Sequence, residues 1–343
     1  MTVISYKKWL VMGLLTAGGS LQAALSADAP VGAERFEPVK MKHYTLPYYD
    51  YADVIAGHEG WVIVSTMVDA QGKPYETAVE SSTGDPEFDR SAVAAMAHAT
   101  LEPARLNGKP IDSVFRMKLV FIGGLGQAAR PSFVDNYEAF GKALEQNDRA
   151  RAKATLELLQ VKNLEEDAYL GLAQYRYAAR YQDEQAQIAG LERAIANEAT
   201  AKYLPTPMFV AALRTLFKLQ VETHYYNEAL DTWKKLQKVD HDAQVIGQFK
   251  KVAAAIEASR SDPTAYAVTT TLKDGGWFID LMRSRFRIEV PQGHVTDLKV
   301  RCEKTYLSFP YDPQIEYHVP ERSGKCQLQL TGEPGSLVRL TQS

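Results

Sequence analysis

Catalysis and metal binding need side chains that converge, so the groups able to do either come first. The chain carries seven histidines, at positions 43, 58, 98, 224, 241, 294 and 318, and their spacing is scattered. His58-Glu59 is followed by Gly60 and Trp61 rather than by a second histidine one turn on, so no zinc-hydrolase helix is written here. His98 falls late in a helical stretch and reads as a partner of the helix dipole or a surface residue. His224 and His241 flank a later helix and read as solvated for the same reason. Ser81 and Ser82 end a strand-like run with no histidine placed to activate them. Gly124-Leu125-Gly126-Gln127-Ala128-Ala129 matches a relaxed dinucleotide fingerprint. The strand before it belongs to an antiparallel unit, however, and Arg130-Pro131 falls where the phosphate-binding helix would begin. Carboxylate runs such as Glu165-Glu166-Asp167 read as solvated helix surface. The expectation is a non-enzyme with no metal site and no cofactor.

The same residues are better explained by the elements that carry them. From Gly60 to Ser82 the chain alternates, turns at Asp69-Ala70-Gln71-Gly72, and alternates again. Val62, Val64, Thr66 and Val68 share one face, with Trp61, Ile63, Ser65 and Met67 on the other. Asp85 then suits a helix N-cap and Pro86 the first helical position, and Phe88, Ala92, Ala95, Met96 and Ala99 recur at helical spacing as a buried stripe. In a third strand Phe115, Met117, Leu119 and Phe121 alternate with Val114, Arg116, Lys118 and Val120. The prediction is a three-stranded antiparallel sheet with one face on a helix and the other half polar. An exposed edge of such a sheet accepts an extended peptide as an added strand. Val114, Arg116, Lys118 and Val120 are the candidate binding residues. Arg116 and Lys118 either guard the edge against indiscriminate pairing or draw in an acidic peptide.

The ordered segments EGWVIVSTMVDAQGKP, ESSTGDPEFDRSAVAAM, LEPARLNGKPI and FRMKLVFI resemble the C-terminal domain of the TonB family over residues 46–122. That family repeats an EG-x-V strand, a D-x-x-G turn, an SSG segment, a P-x-(F/L)D helix start and an EPA segment in this order. The chain departs from it where Ala99-Thr100-Leu101 replaces the aromatic pair before EPA, and where Pro74 takes a strand position. The resemblance implies a domain that grips extended segments of outer-membrane transporters by strand addition.

The rest of the chain falls into two further regimes, separated by punctuation at residues 123–131 and 259–264. Residues 132–260 read as helical. ARAKATLELL, EQAQIAGLERA and NEALDTWKKLQKVDHDA each resemble the second helix of a tetratricopeptide hairpin; Ala152 and Ala186 lie 34 apart, Ala186 and Ala229 lie 43 apart. A plain helical bundle is the other reading. Residues 264–343 read as all-β, with strands near 286–290, 296–302, 315–319, 326–330 and 337–341, in a sandwich or small barrel. The fold class is thus multidomain α+β.

Lys7 and Lys8 precede an uncharged run from Trp9 to Ala27, the layout of an export signal, with cleavage expected after Ser26. The alternative is a retained membrane anchor. Residues 27–45 read as a linker. In an exported chain the only two cysteines, Cys302 and Cys326, are expected to pair. A formal net charge of −3 with both signs spread along the chain argues against nucleic acid as a partner. The expected function is a periplasmic adaptor or scaffold binding envelope proteins or extended peptides, with no small-molecule substrate. The alternative is a membrane-anchored TonB-type energy transducer, although fully extended the short linker reaches only roughly 60–70 Å.

Overall fold

The computed structural model describes residues 34–43, 45–123, 128–197 and 203–343. The expected export signal, and Gly124–Gln127 of the dinucleotide-like run, lie outside them.

The first unit forms as its pattern dictates. β3 (Gly60–Val68) is central, with β4 (Pro74–Ser82) on one side and β8 (Ser113–Phe121) on the other, all antiparallel. The turn between β3 and β4 is held by Asp69, whose side chain accepts from the amides of Gln71 and Lys73. α2 (Pro86–Ala97) starts at Asp85, which accepts from the amides of Glu87 and Phe88. Its Phe88, Ala92 and Met96 bury against Val62, Val64, Leu119 and Phe121. The 27–45 stretch is more than a linker. Its β1 (Phe36–Glu37) pairs with β6 (Ala104–Leu106), and its β2 (Lys40–His43) pairs with β5 (Thr100–Glu102). Met41 and Phe36 thereby reach the core of this unit. A short α1 (Tyr51–Ala56) precedes β3, and β7 (Lys109–Ile111) completes the small sheet with β6.

Next come α3 (Pro131–Glu145), α4 (Arg149–Glu157), α5 (Leu164–Arg180), α6 (Glu184–Ile195), α7 (Thr206–Glu222), α8 (Tyr226–Val239) and α9 (Ala243–Ala258). Helices α3 and α4, α5 and α6, and α7 and α8 pack as successive hairpins, with α9 against α8. Short Asp or Asn caps start four of them: Asp148, Asn163, Asp183 and Asp242 each accept an amide of their own first turn. The α5–α6 pair is the tightest because glycines face each other. A β-carbon at Gly171 would lie 2.5 Å from the amide nitrogen of Ala194, and one at Gly190 2.6 Å from that of Tyr175. Ala229, Trp233 and Leu236 are buried with Phe217 and Phe249.

The C-terminal unit holds two four-stranded antiparallel sheets. One orders β10 (Gly276–Leu281), β15 (Cys326–Gly332), β12 (Val295–Cys302) and β13 (Tyr306–Pro310). The other orders β14 (Glu316–His318), β11 (Arg285–Gln292), β16 (Leu337–Gln342) and β9 (Tyr266–Thr271). Their inner faces share one core that includes Val268, Ile279, Ile288, Val300, Leu328 and Leu340, which makes this a sandwich. Cys302 and Cys326 face each other across β12 and β15 and form the disulfide. Residues 35–343 pack as one unit rather than as beads on linkers.

Candidate functional site

An added strand needs a row of free backbone groups, so the sheet edges decide where one can bind. The helical segment caps two of the sandwich edges. Gln185 accepts from the amide of Thr271 at 3.1 Å and donates to the carbonyl of Thr269, while a His224 ring nitrogen lies 3.0 Å from the carbonyl of Ala267. On β10, Glu228 accepts from the Asp280 amide at 3.2 Å and Asn227 donates to the Asp280 carbonyl at 3.0 Å. The other two sandwich edges are short: β13 has five residues ending in Pro310 and β14 has three. β4 is long but broken by two register shifts, and Glu76 on it sits at φ 50° with its carbonyl taken by Arg301 at 2.6 Å.

β8 differs from all of these. It pairs with β3 in unbroken register over nine residues, and among the described residues none of its backbone groups bonds outside β3. Among the described residues it is the longest edge in unbroken register without a hydrogen-bonding cap on its backbone, and β12 of the sandwich packs near it. At its end Ile122 is exposed, and the neighbouring Gly123 approaches Val54 of α1, whose outer side exposes Tyr51 and Ile55. Leu46 and Tyr48, before α1, are exposed as well.

The four candidate residues are all on β8 and all on its polar face, but Arg116 and Lys118 do not reach for an incoming chain. Arg116 donates to Glu80 on β4 (Nε to Oε2, 2.8 Å) and to Asp280 on β10 (3.3 Å). Those two carboxylates hold the guanidinium even more firmly protonated than usual, against its burial. Lys118 donates to the Ala196 carbonyl and the Asn197 side chain at the end of α6, and lies 5.3 Å from the Trp61 ring centroid. Burial, aided by Lys235, lowers its ammonium to about 8. Val114 and Val120 are half-buried on the same face. The charges therefore serve the protein's own packing and leave the backbone edge as the feature open to a partner.

Much of the polar face is covered in this way. Trp61 donates its indole N–H to Asp167 at 2.8 Å, and Arg193 donates to the same carboxylate at 2.7 Å and to the Thr83 carbonyl at 3.0 Å. Glu59 accepts from the Leu164 amide at the start of α5. Lys299 and Arg301 on β12 clamp the side chain and the carbonyl of Glu76. This overturns the reading of Glu165-Glu166-Asp167 as solvated surface. Glu166 and Asp167 are fully buried, Glu166 receiving the guanidinium of Arg130 and the Lys162 amide. His224 is likewise packed, between Tyr226 and Tyr266. Sequence reasoning missed Glu80, Asp167, Glu228 and Asp280 because their partners lie far along the chain. A Trp at the start of β3, pointing away from the helix-covered face, was the one hint that this face is buried.

Among the described residues no group of three or more His, Cys, Asp or Glu could hold a metal ion, and no helix is long and apolar enough to cross a membrane.

Such a three-stranded antiparallel sheet packed on one helix is a small α+β domain. Residues 46–122 match the family described as Gram-negative bacterial TonB protein C-terminal. Among solved structures the chain is similar to the solution NMR structure of the Pseudomonas aeruginosa TonB CTD. The identity is 25%, over 27% of this chain and 91% of that one, with a TM-score of 0.23. No curated protein matches the chain. The family connects the segment to TonB-type function in the cell envelope.

Proposed function

We propose that this protein is a non-enzymatic adaptor of the periplasm that takes up an extended segment of an envelope protein as a fourth strand on β8. The observation that carries this reading is the contrast between edges: β9, β10 and β4 are capped or broken, while β8 is regular and unpaired over nine residues. The TonB family supplies the class of partner, outer-membrane proteins. The helical hairpins, read as tetratricopeptide-like, then act as the frame that holds the sheet. Export with removal of residues 1–26 places the chain in the periplasm. The second reading, a membrane-anchored transducer, draws on the family match alone. The cis-packed polar face favours the adaptor, because it fixes the domain to its own chain rather than leaving it free on an arm.

The test is backbone amide exchange on the full chain with and without a synthetic peptide copying the N-terminal segment of an outer-membrane transporter. Strand addition slows exchange across residues 113–121 and leaves β9 unchanged. Slowing confined to the helices, or none across several such peptides, would remove β8 as the docking edge.

A further inference from the structure

Two arginines of the sandwich are buried without an ion pair among the described residues, and they differ in one respect. Arg301 donates from Nε, Nη1 and Nη2 to Gln329 and the Glu76 carbonyl, so each of its nitrogens has an acceptor. Arg283, in the turn between β10 and β11, is 9% exposed and has fewer. It donates from Nη1 to the Thr264 carbonyl and from Nη2 to the Ser259 carbonyl at 3.1 Å, which ties down the connection between α9 and β9. Its Nε is enclosed and has no acceptor. A guanidinium carries five N–H donors, so two carbonyl oxygens leave most of them unused and the charge without a counter-ion. Burying such a charge is costly, and an anion beside it offsets that cost.

Arg283 lines a cleft of about 560 Å³ between the start of α8, the 259–264 connection and the sandwich, a volume in the range of small-molecule sites. His224, Tyr226 and Tyr266 form its aromatic wall, with ring centroids 4.9 to 5.8 Å apart, and the Arg283 head group lies 5.0 Å from the Tyr266 centroid. Arg339 brings a second guanidinium to the lining, loosely paired with Glu289 at 3.9 Å. Asp262 is the one acid there, and its carboxylate accepts from the Thr264 amide at 2.8 Å. Two guanidinium groups against one carboxylate leave the cleft positive. We propose that this cleft binds a small aromatic carboxylate, its carboxylate on the N–H groups of Arg283 that the two carbonyls leave free and its ring against Tyr226 and Tyr266. The planar fork of a guanidinium matches a carboxylate, and flat half-buried rings favour a flat apolar body. The site goes beyond strand addition on β8 and does not rest on it.

The experiment titrates the full chain with sodium benzoate and follows the amide resonances of residues 264–267 and the ring resonances of His224. Benzamide, the neutral counterpart, and inorganic phosphate are titrated in parallel at matched ionic strength. Benzoate should move these resonances saturably by about 20 mM, the weak end for so small a ligand, and the other two should not. Arg283→Lys, which keeps the charge and loses the fork, should weaken benzoate by at least about tenfold. Because Arg283 also holds the 259–264 connection, Tyr226→Leu serves as a second variant that leaves those carbonyl bonds in place; it should weaken benzoate about three- to tenfold. No saturable movement with benzoate would overturn the site, and so would benzamide or phosphate matching benzoate. Unchanged affinity in Arg283→Lys or in Tyr226→Leu would overturn it equally. No peptide is present and β8 is not read, so failure here is separable from failure of strand addition.

Discussion

Asp167→Ala should be among the most damaging single changes outside the apolar cores. Asp167 is 0% exposed, on the first turn of α5, and its carboxylate joins the TonB-like domain to the helices. It takes the Trp61 indole N–H at 2.8 Å, the Arg193 Nε at 2.7 Å and a second Arg193 nitrogen at 2.6 Å. Truncation leaves a guanidinium with 20% side-chain exposure and a buried indole without that acceptor. One partner lost from a buried, hydrogen-bonded pair costs about 3–5 kcal/mol, mostly the penalty on the charge left behind. Asp167→Asn, which keeps an acceptor for Trp61, should cost less. Removing both charges with Asp167→Ala and Arg193→Ala should cost clearly less than the two single losses added. Urea unfolding followed by tryptophan fluorescence reads all of these, and Trp61 should also report a wetter environment in Asp167→Ala before global unfolding. A loss below about 1 kcal/mol, the range of exposed ion pairs, would refute the claim that this pair pins the two segments together.

Three further outcomes are expected. Replacing Cys302 and Cys326 with serine removes a bridge between residues 24 apart and should lower stability by about 3–4 kcal/mol in the chain-entropy model, seen as an earlier urea midpoint than in the oxidised protein. Gly72→Ala forces a side chain onto a residue at φ 84° whose β-carbon would lie 2.1 Å from the Leu101 carbonyl oxygen; it should cost more than about 1 kcal/mol, and a neutral result would disprove that turn geometry. Gln185→Ala uncaps β9 and should cost about 1 kcal/mol while making the protein associate at high concentration by light scattering; a monomer at all concentrations would show that the cap is dispensable.

The strands and helix of residues 60–121 were legible because their information is local. Strict alternation, an Asp-x-x-Gly turn and an Asp-Pro helix start leave one arrangement that buries Val62, Val64, Phe88, Met96 and Leu119 together. Five of the eight C-terminal strands and the disulfide followed from the same kind of evidence. β9, β10 and β13 were not anticipated. β10 mixes Trp277, Phe278 and Ile279 with Asp280 in no simple two-residue rhythm, because its outer residues meet helices rather than water. The 27–45 stretch looked like a linker since β1 and β2 are only two and four residues long and gain their order from strands some 60 to 70 positions later.

What the sequence by itself determined is each unit's local form: which face of each strand is apolar, where the helices begin, which cysteines pair, and the resemblance to the TonB C-terminal domain. What only the tertiary structure decided is how those units use their polar residues. Arg116 and Lys118 look like edge charges in one dimension and tie β8 to other parts of the chain in three, and Asp167 looks like surface and is buried. The physical reason is range. Periodicity reports which side chains avoid water, but an isolated charge carries no local mark of whether water or a residue a hundred positions away will be its partner. The free edge of β8 is likewise a property of the assembled chain, fixed by what every other element covers and leaves open.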